Sequence, residues 1–384
     1  MPSARLKADR TALVFGASGI TGWAVLHESL HYPTTDSFFR LVLPDDDRLI
    51  LASGVDLGAG VDAAAAGLSG IEGIKGVTDV FFAAYVQPPG TSDFVGHEIL
   101  KQVNVGILET AVLAVEKVCP RLRFWSLQTG GKSYGFVHAR EIGVPKVPCN
   151  ESDPRIPQPF EDQVFYYAQF DALEKLSVGK PWRFWNADTD TWIGFVPGGK
   201  NAMNLAQGLG LFLKHSFPRL LASYDARHTE IGQKTLGRAQ IFTSHLIGDS
   251  NGEVYNVGDS PLAAGLNWRD KWVAICQSFG LVGLGPEEIR AMGFSSSEYM
   301  TQHRSEWEGF GSKHGLIPGV IQHTSWEFIG VMLSMAVFDR QHNLSKFAKA
   351  GFQERVDILR NYEEAFDLMR SARIIPRRSL VVLA

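Results

Sequence analysis

Residues 11–22 read TALVFGASGITG, and the reading of this stretch decides the fold. Thr11 to Phe15 is an unbroken apolar run closed by glycine, the pattern of a strand buried on both faces of a parallel sheet. Gly16, Gly19 and Gly22 follow at the spacing of a dinucleotide fingerprint, and a helix is expected from Thr21 to about Leu30. The first glycine permits a tight turn, the second lets a pyrophosphate approach the backbone, and the third lets the helix settle against the strand. The helix start then offers free N–H groups and a positive dipole end to an anion. A glycine triplet alone is a weak signal. The strand before it and the helix behind it turn it into a fold marker.

Working outward, further apolar strands are expected at Phe38–Leu43, Arg48–Leu51, Asp79–Ala84 and Arg123–Leu127, with a long helical stretch from about Ile99 to Val118. Strand and helix alternate, which gives an α/β chain with a Rossmann-type doubly wound parallel sheet over residues 1–200. Beyond residue 200 helical patterns dominate, at Ala202–Leu213, Trp268–Phe279, Ser325–Phe338 and Arg355–Ala372, so residues 201–384 read as a mostly helical substrate or lid region. One strand, Glu253–Val257, is expected to return to the sheet, interleaving the two regions. The alanine-rich stretch Val61–Gly67 reads as a solvent-side helix. Trp268, Trp272, Trp307 and Trp326 fall on helical patterns and read as core, with some available to wall an apolar pocket.

Composition narrows the partners. Forty-five per cent of the 384 residues are hydrophobic, enough for a full core without disulfide or metal staples. The formal charge is only −4 and no basic stripe is present, which argues against nucleic acid or an anionic membrane surface. Cys119, Cys149 and Cys276 lack any paired spacing, and the 11 histidines form no metal-binding motif, so no metal site is expected. No Gly-x-Ser-x-Gly elbow of a hydrolase is present. The polar start of the chain carries no signal-peptide core, and no run of about 18 apolar residues spans a bilayer. A cytoplasmic protein is expected.

Several stretches then carry a family likeness: VFGASGITG, VNVGILETAVLAVEK, SLQTGGKSYG, FYYAQFD, GFVPGGKNAMNLAQGL, EVYNVGD, TSWEF and ARIIP. Together they resemble the progesterone 5β-reductase and iridoid synthase-like family of extended short-chain dehydrogenases, nearest its fungal members, over almost the whole chain. The resemblance implies an enzyme that uses NADPH, or NADH, to reduce the carbon–carbon double bond of an enone in a hydrophobic small molecule. Secondary-metabolite biosynthesis is the setting it implies, and a homodimer is compatible with it. It also implies that Lys132 in TGGKSYG and Tyr167, the second tyrosine of FYY, are the catalytic pair, with Tyr166 as the fallback. Asp171 stands four residues after Tyr167, where ordinary short-chain dehydrogenases carry lysine. Cofactor contacts are expected from Gly16, Ser18, Gly19, Ile20, Thr21 and Gly22 of the turn, from Asp56, from Ala83, Ala84 and Tyr85, from Gln128 and Thr129, and from Ile193. Asn104 reads as an ordinary buried polar residue.

The chemistry stands without the name. Hydride delivery to an enone leaves an enolate whose oxygen needs a donor, and a phenol beside an ammonium group supplies one. Lys132 follows two glycines at the C-terminal end of a strand, the edge where open α/β sheets bind ligands. Two departures from the family pattern stand out. FFRLVLPDDDRLILASGVDL passes almost directly from the second strand to the third, without the loop whose arginine meets a 2′-phosphate. Asp45, Asp46 and Asp47 are placed for a ribose contact, but PDDD reads first as a solvated turn. At WNADTDTWIG, relatives have an Arg-Pro pair where this chain has Asp188 and Thr189. These departures keep two other readings open: a redox-neutral cyclase or isomerase with Tyr167 as general acid, and a non-catalytic nucleotide-sensing or scaffold protein.

Overall fold

The computed structural model describes residues 10–33, 45–91, 95–189, 191–195, 224–246, 251–259, 265–281, 302–323 and 337–377. The chain opens with β1 (Ala12–Phe15), α1 (Ile20–Ser29), α2 (Val61–Ser69), β2 (Asp79–Phe82) and α3 (His97–Val118). It continues through β3 (Phe124–Gly130), a 3-10 turn over Gly131–Tyr134, α4 (Ala139–Ile142), α5 (Phe165–Ser177), β4 (Arg183–Thr189) and β5 (Thr191–Ile193). The later part supplies β6 (Glu230–Gly232), α6 (Gln233–Thr243), β7 (Glu253–Asn256), α7 (Trp268–Gln277), α8 (Arg304–Lys313), α9 (Ser345–Lys349) and α10 (Ile358–Ser371). Five strands form one parallel sheet in the order β1-β2-β3-β4-β7, and β5 pairs with β6 in a separate parallel ribbon.

Period-2 alternation sorts the strand residues onto two faces. On one face Phe82, Trp125, Leu127 and Phe184 meet α2, α3 and α5, where Leu108, Ala111, Val112 and Val115 of α3 are fully buried. On the other, Phe81, Phe124, Trp185 and Tyr255 meet α1 and α6. The expected return of the Glu253–Val257 segment is observed, since β7 pairs with β4 from Trp185↔Glu253 to Asp188↔Asn256. The helix α6, also beyond residue 200, lies directly on α1, and a side chain at Gly237 would come within 2.6 Å of the Ala24 carbonyl oxygen. The alanine-rich helix α2 is half solvent-facing, with Ala64, Ala65 and Leu68 buried. Trp268, Trp272 and Trp307 are core residues of a second cluster built by α7, α8 and α10.

Some expectations need correction. Arg48–Leu51 forms no strand: the Leu49 amide donates to the Asp46 carbonyl, Arg48 pairs with Asp46, and Ile50 and Leu51 stay exposed at 51% and 68%. A local turn over Asp46–Leu49, fixed by side chain and backbone, therefore wins over β-propensity. Ala12 is exposed and β1 pairs only with β2 among the described residues, so this strand is less enclosed than its apolar run implies. Phe38–Leu43, Ala202–Leu213, Trp326 and most of Ser325–Phe338 lie outside the described residues. Val337 and Phe338, which are described, are not helical.

A buried polar cluster ties α7 and α10 to β6. The Lys271 ammonium is bonded to Glu230, lies 3.0 Å from His228 Nε2, and sits 4.1 Å from the Trp268 ring centroid. The Tyr362 hydroxyl donates to Glu230 Oε1 at 3.1 Å. Burial pushes the Glu230 carboxyl up, but Lys271 and His228 together outweigh it, so Glu230 ends below the usual carboxylate range. Burial and the same ammonium lower His228, which stays neutral. Removing one partner of a sealed pair leaves the other uncompensated. Glu230→Gln should therefore cost about 3–5 kcal/mol in urea unfolding, and a loss under about 1 kcal/mol would show that the pair contributes little.

Candidate active site

The glycine turn lies at the C-terminal edge of β1. Gly16 has φ +76, and a Cβ there would stand 2.5 Å from the Ala83 carbonyl oxygen, so only glycine fits between β1 and the chain leaving β2. A Cβ at Gly22 would run into the Gly16 carbonyl oxygen, so α1 begins hard against the turn. The Gly19 amide donates to the Gly16 carbonyl at 2.9 Å. Gly19 caps α1 with no side-chain hydrogen bond, and Ser18 is exposed, which leaves the helix start open to an incoming anion. Thr21 and Gly22 face inward, and Ile20 is clasped from α6, whose Gln233 donates to the Ile20 carbonyl at 2.8 Å. Gln233 also accepts from the Phe195 amide at 2.9 Å, joining the turn to the end of β5.

Asp56 is exposed and accepts from the Gly58 amide at 2.8 Å, fixing the start of the segment before α2. Ala83 and Ala84 are half-buried beside the turn. Tyr85 is exposed and stacks on Phe165 with ring centroids 6.0 Å apart. Asn104 proves to be a clamp, for it accepts from the Val86 amide at 2.9 Å and donates to the Val86 carbonyl at 2.7 Å, so α3 sets the path of the chain after β2. Gln128 accepts from Gln240 of α6 at 3.3 Å. The Thr129 side chain is buried, and its hydroxyl donates to Asp188 at 3.0 Å and accepts from Asn186 at 2.7 Å. Ile193 is buried in the second core.

Lys132 and both tyrosines come together at the end of β3, in two different ways. The Lys132 ammonium lies 5.5 Å from the Tyr166 ring centroid and 5.8 Å from that of Phe165. A Cβ on Gly130 would be 3.7 Å from the Tyr166 hydroxyl, which places this phenol over the strand end. The Tyr167 hydroxyl instead donates to the Ser133 carbonyl at 2.5 Å and accepts from the Ile156 amide at 3.2 Å. Arg155 covers the Tyr167 ring at 4.9 Å while pairing with Asp171, so the position that carries lysine in ordinary relatives here anchors an arginine. Burial raises Tyr167 above the ordinary phenol range, with Arg155 pulling it back and Asp188 pushing it further up.

A polar floor lies at the same sheet edge. Tyr134 donates to Asn256 Oδ1 at 2.7 Å, and Asn256 is abreast of Asp188 in the sheet register. Asp188 is itself abreast of Thr129. The stretches WNADTDTWIG, EVYNVGD and SLQTGGKSYG contain its members, whereas Gln233 and Arg155 gave no signal.

Comparison with known proteins places these features in a lineage. The PRISE-like Rossmann-fold domain matches residues 12–376. The short chain dehydrogenase sirQ of Leptosphaeria maculans is 31% identical over 391 residues, covering 95% of this chain and 97% of that protein. The (S)-8-oxocitronellyl enol synthase ISY1 of Nepeta racemosa is 23% identical, over 78% of this chain and 75% of its own. Among solved structures, RMD from Pseudomonas aeruginosa complexed with NADPH superposes with a TM-score of 0.57 at 13% identity, covering 93% of this chain and 98% of that one, a likeness of fold.

The turn geometry yields a direct check. Gly22→Ala forces a methyl group into the Gly16 carbonyl, and overpacking of this kind costs about 1–3 kcal/mol. Urea melts of the variant should show that loss, and an unchanged midpoint would mean that α1 does not start against the turn.

Proposed function

The chain belongs to the PRISE-like Rossmann-fold family, and on that premise we propose that it is a short-chain dehydrogenase-type enzyme that reduces an enone of a hydrophobic small molecule with NADPH or NADH. The observation that carries the reading is the gathering, along one sheet edge, of an uncapped helix start, an ammonium group and two phenols.

The residues fit a dinucleotide. The Gly16–Gly22 turn is a cradle that a Cβ would fill, and its exposed Ser18 side lets backbone N–H groups meet a pyrophosphate. Asp56 and the Ala83–Tyr85 segment would add contacts to the cofactor, and Lys132 would hold a ribose hydroxyl. When bound, the nicotinamide supplies a hydride for the β-carbon of the enone. The remaining work falls to the chain. As negative charge gathers on the substrate oxygen, a phenol must donate to it, and burial keeps Tyr167 protonated for that purpose. In the free protein the Ser133 carbonyl holds the Tyr167 proton, and a substrate oxygen would take its place. Catalytic hydrogen bonds commonly rearrange in this way on binding. Tyr166, beside Lys132, is the competing donor.

A redox-neutral cyclisation or isomerisation is the second reading. It is favoured by the stretch FFRLVLPDDDRLILASGVDL, which lacks the loop arginine expected to meet a 2′-phosphate. The relative named as an enol synthase adds to it.

Titration of the purified protein with NADPH and NADH, followed by cofactor fluorescence, should give saturable binding below millimolar concentration. With 2-cyclohexenone as probe, Tyr167→Phe should lower kcat by about 10²–10³, and Tyr166→Phe by far less. The reverse order would move the donor role to Tyr166. Turnover without any nicotinamide would replace the reductase by the redox-neutral enzyme.

A further inference from the structure

Asp171 stands one helical turn after Tyr167 on α5, so its carboxylate and the phenol ring share a face of the helix. Arg155 closes over both. Its Nη1 donates to Asp171 Oδ2 at 2.9 Å, its Nη2 is bonded to the other carboxylate oxygen, and its guanidinium carbon lies 4.9 Å from the Tyr167 ring centroid. Glu161 adds a longer contact at 3.4 Å. The next residue turns inward. Ile156 is 7% exposed, and its side chain packs so closely on Gly135 that a Cβ there would come within 2.8 Å of it. The Ile156 amide donates to the Tyr167 hydroxyl at 3.2 Å, while that hydroxyl donates to the Ser133 carbonyl at 2.5 Å. The dipeptide Arg155–Ile156 therefore meets the phenol twice, at the face of the ring and at the oxygen.

We propose that Arg155 is a positioning residue of this site: gripped by Asp171, it holds its charge over the Tyr167 ring and the Ile156 amide on the Tyr167 oxygen. This inference rests on the reading of Tyr167 as the donor.

The physical argument concerns where charge goes when the phenol works. As Tyr167 lends its proton to a substrate oxygen, negative charge grows on the phenol oxygen. An N–H already aimed at that oxygen and a cation over the ring both stabilise the charge, and neither has to reorganise when it appears. Burial raises Tyr167, and the Ile156 amide followed by Arg155 draws it back, so the phenol stays protonated and still gives up its hydrogen bond readily. Arginine suits the task because its planar fork can grip a carboxylate by its edge while its face covers a ring. Stability is a poor explanation of the pair. The Arg155 and Asp171 side chains are 38% and 50% exposed, and an ion pair so open to water contributes little to folding. What its two parallel hydrogen bonds do supply is direction.

Kinetics of four full-length variants with NADPH and 2-cyclohexenone test the inference. Arg155→Met keeps an apolar stem and removes both charge and fork, and it should lower kcat about tenfold with KM for both substrates nearly unchanged. Asp171→Asn loosens the grip on Arg155 and should lower kcat by a smaller factor. The double variant should be no slower than Arg155→Met alone. Arg155→Lys, which restores the cation without the fork, should recover part of the loss. Thermal midpoints should stay within about 3 °C of the parent. Undiminished kcat in Arg155→Met, losses that multiply in the double variant, or a midpoint that falls in step with activity would overturn the inference and, with Tyr167→Phe inactive, leave the donor assignment standing. Full activity in Tyr167→Phe would overturn the donor assignment and the inference with it.

Discussion

The structure depends on one steric constraint: there is no room for a side chain between the end of β1 and the chain leaving β2. Gly16 occupies that gap in a left-handed conformation against the Ala83 carbonyl, and Gly22 repeats the condition one helical turn later against Gly16 itself. These contacts fix where α1 begins and how close it lies to the sheet. Because α1 is close, α6 can lie on it through Gly237, and Gln233 can reach the Ile20 carbonyl. The open helix start and the floor of the sheet edge are thus parts of one packing solution, set by three residues with no side chain.

Charge joins distant elements in both halves. Around the sheet, the buried ion pairs join elements far apart in sequence: Arg10 with Asp79, and Arg238 with both Glu28 and Glu354. In the helical region, Lys271, Glu230 and Tyr362 perform the same task on β6. Asp259 extends it, receiving the Gly232 amide, the Val356 amide and the Asn361 side chain. Buried pairs of this kind add little net stability over apolar packing, but they are strict about geometry. A β5–β6 ribbon held by Glu230 and Asp259 has little freedom to shift against α10. Phe195 and Gln233, at the ends of that ribbon, inherit the fixed position beside the glycine turn.

The parts legible in the sequence are those governed by short-range pattern. The glycine spacing located the turn, the 3.6-residue periodicity of α3 located a helix that runs from His97 to Val118, and the EVYN stretch rejoined the sheet as expected. Arg48–Leu51 misled because three apolar residues satisfy a strand pattern while Asp46 and Arg48 satisfy each other first. The pair Tyr166 and Tyr167 marks a different limit. Successive residues on a helix point about 100° apart, so a motif that ends in two tyrosines identifies the turn of helix but not the phenol that meets the lysine. That depends on how α5 is rotated about its axis. The rotation is set by contacts with residues such as Ile156 and Arg155, which no local pattern connects to it.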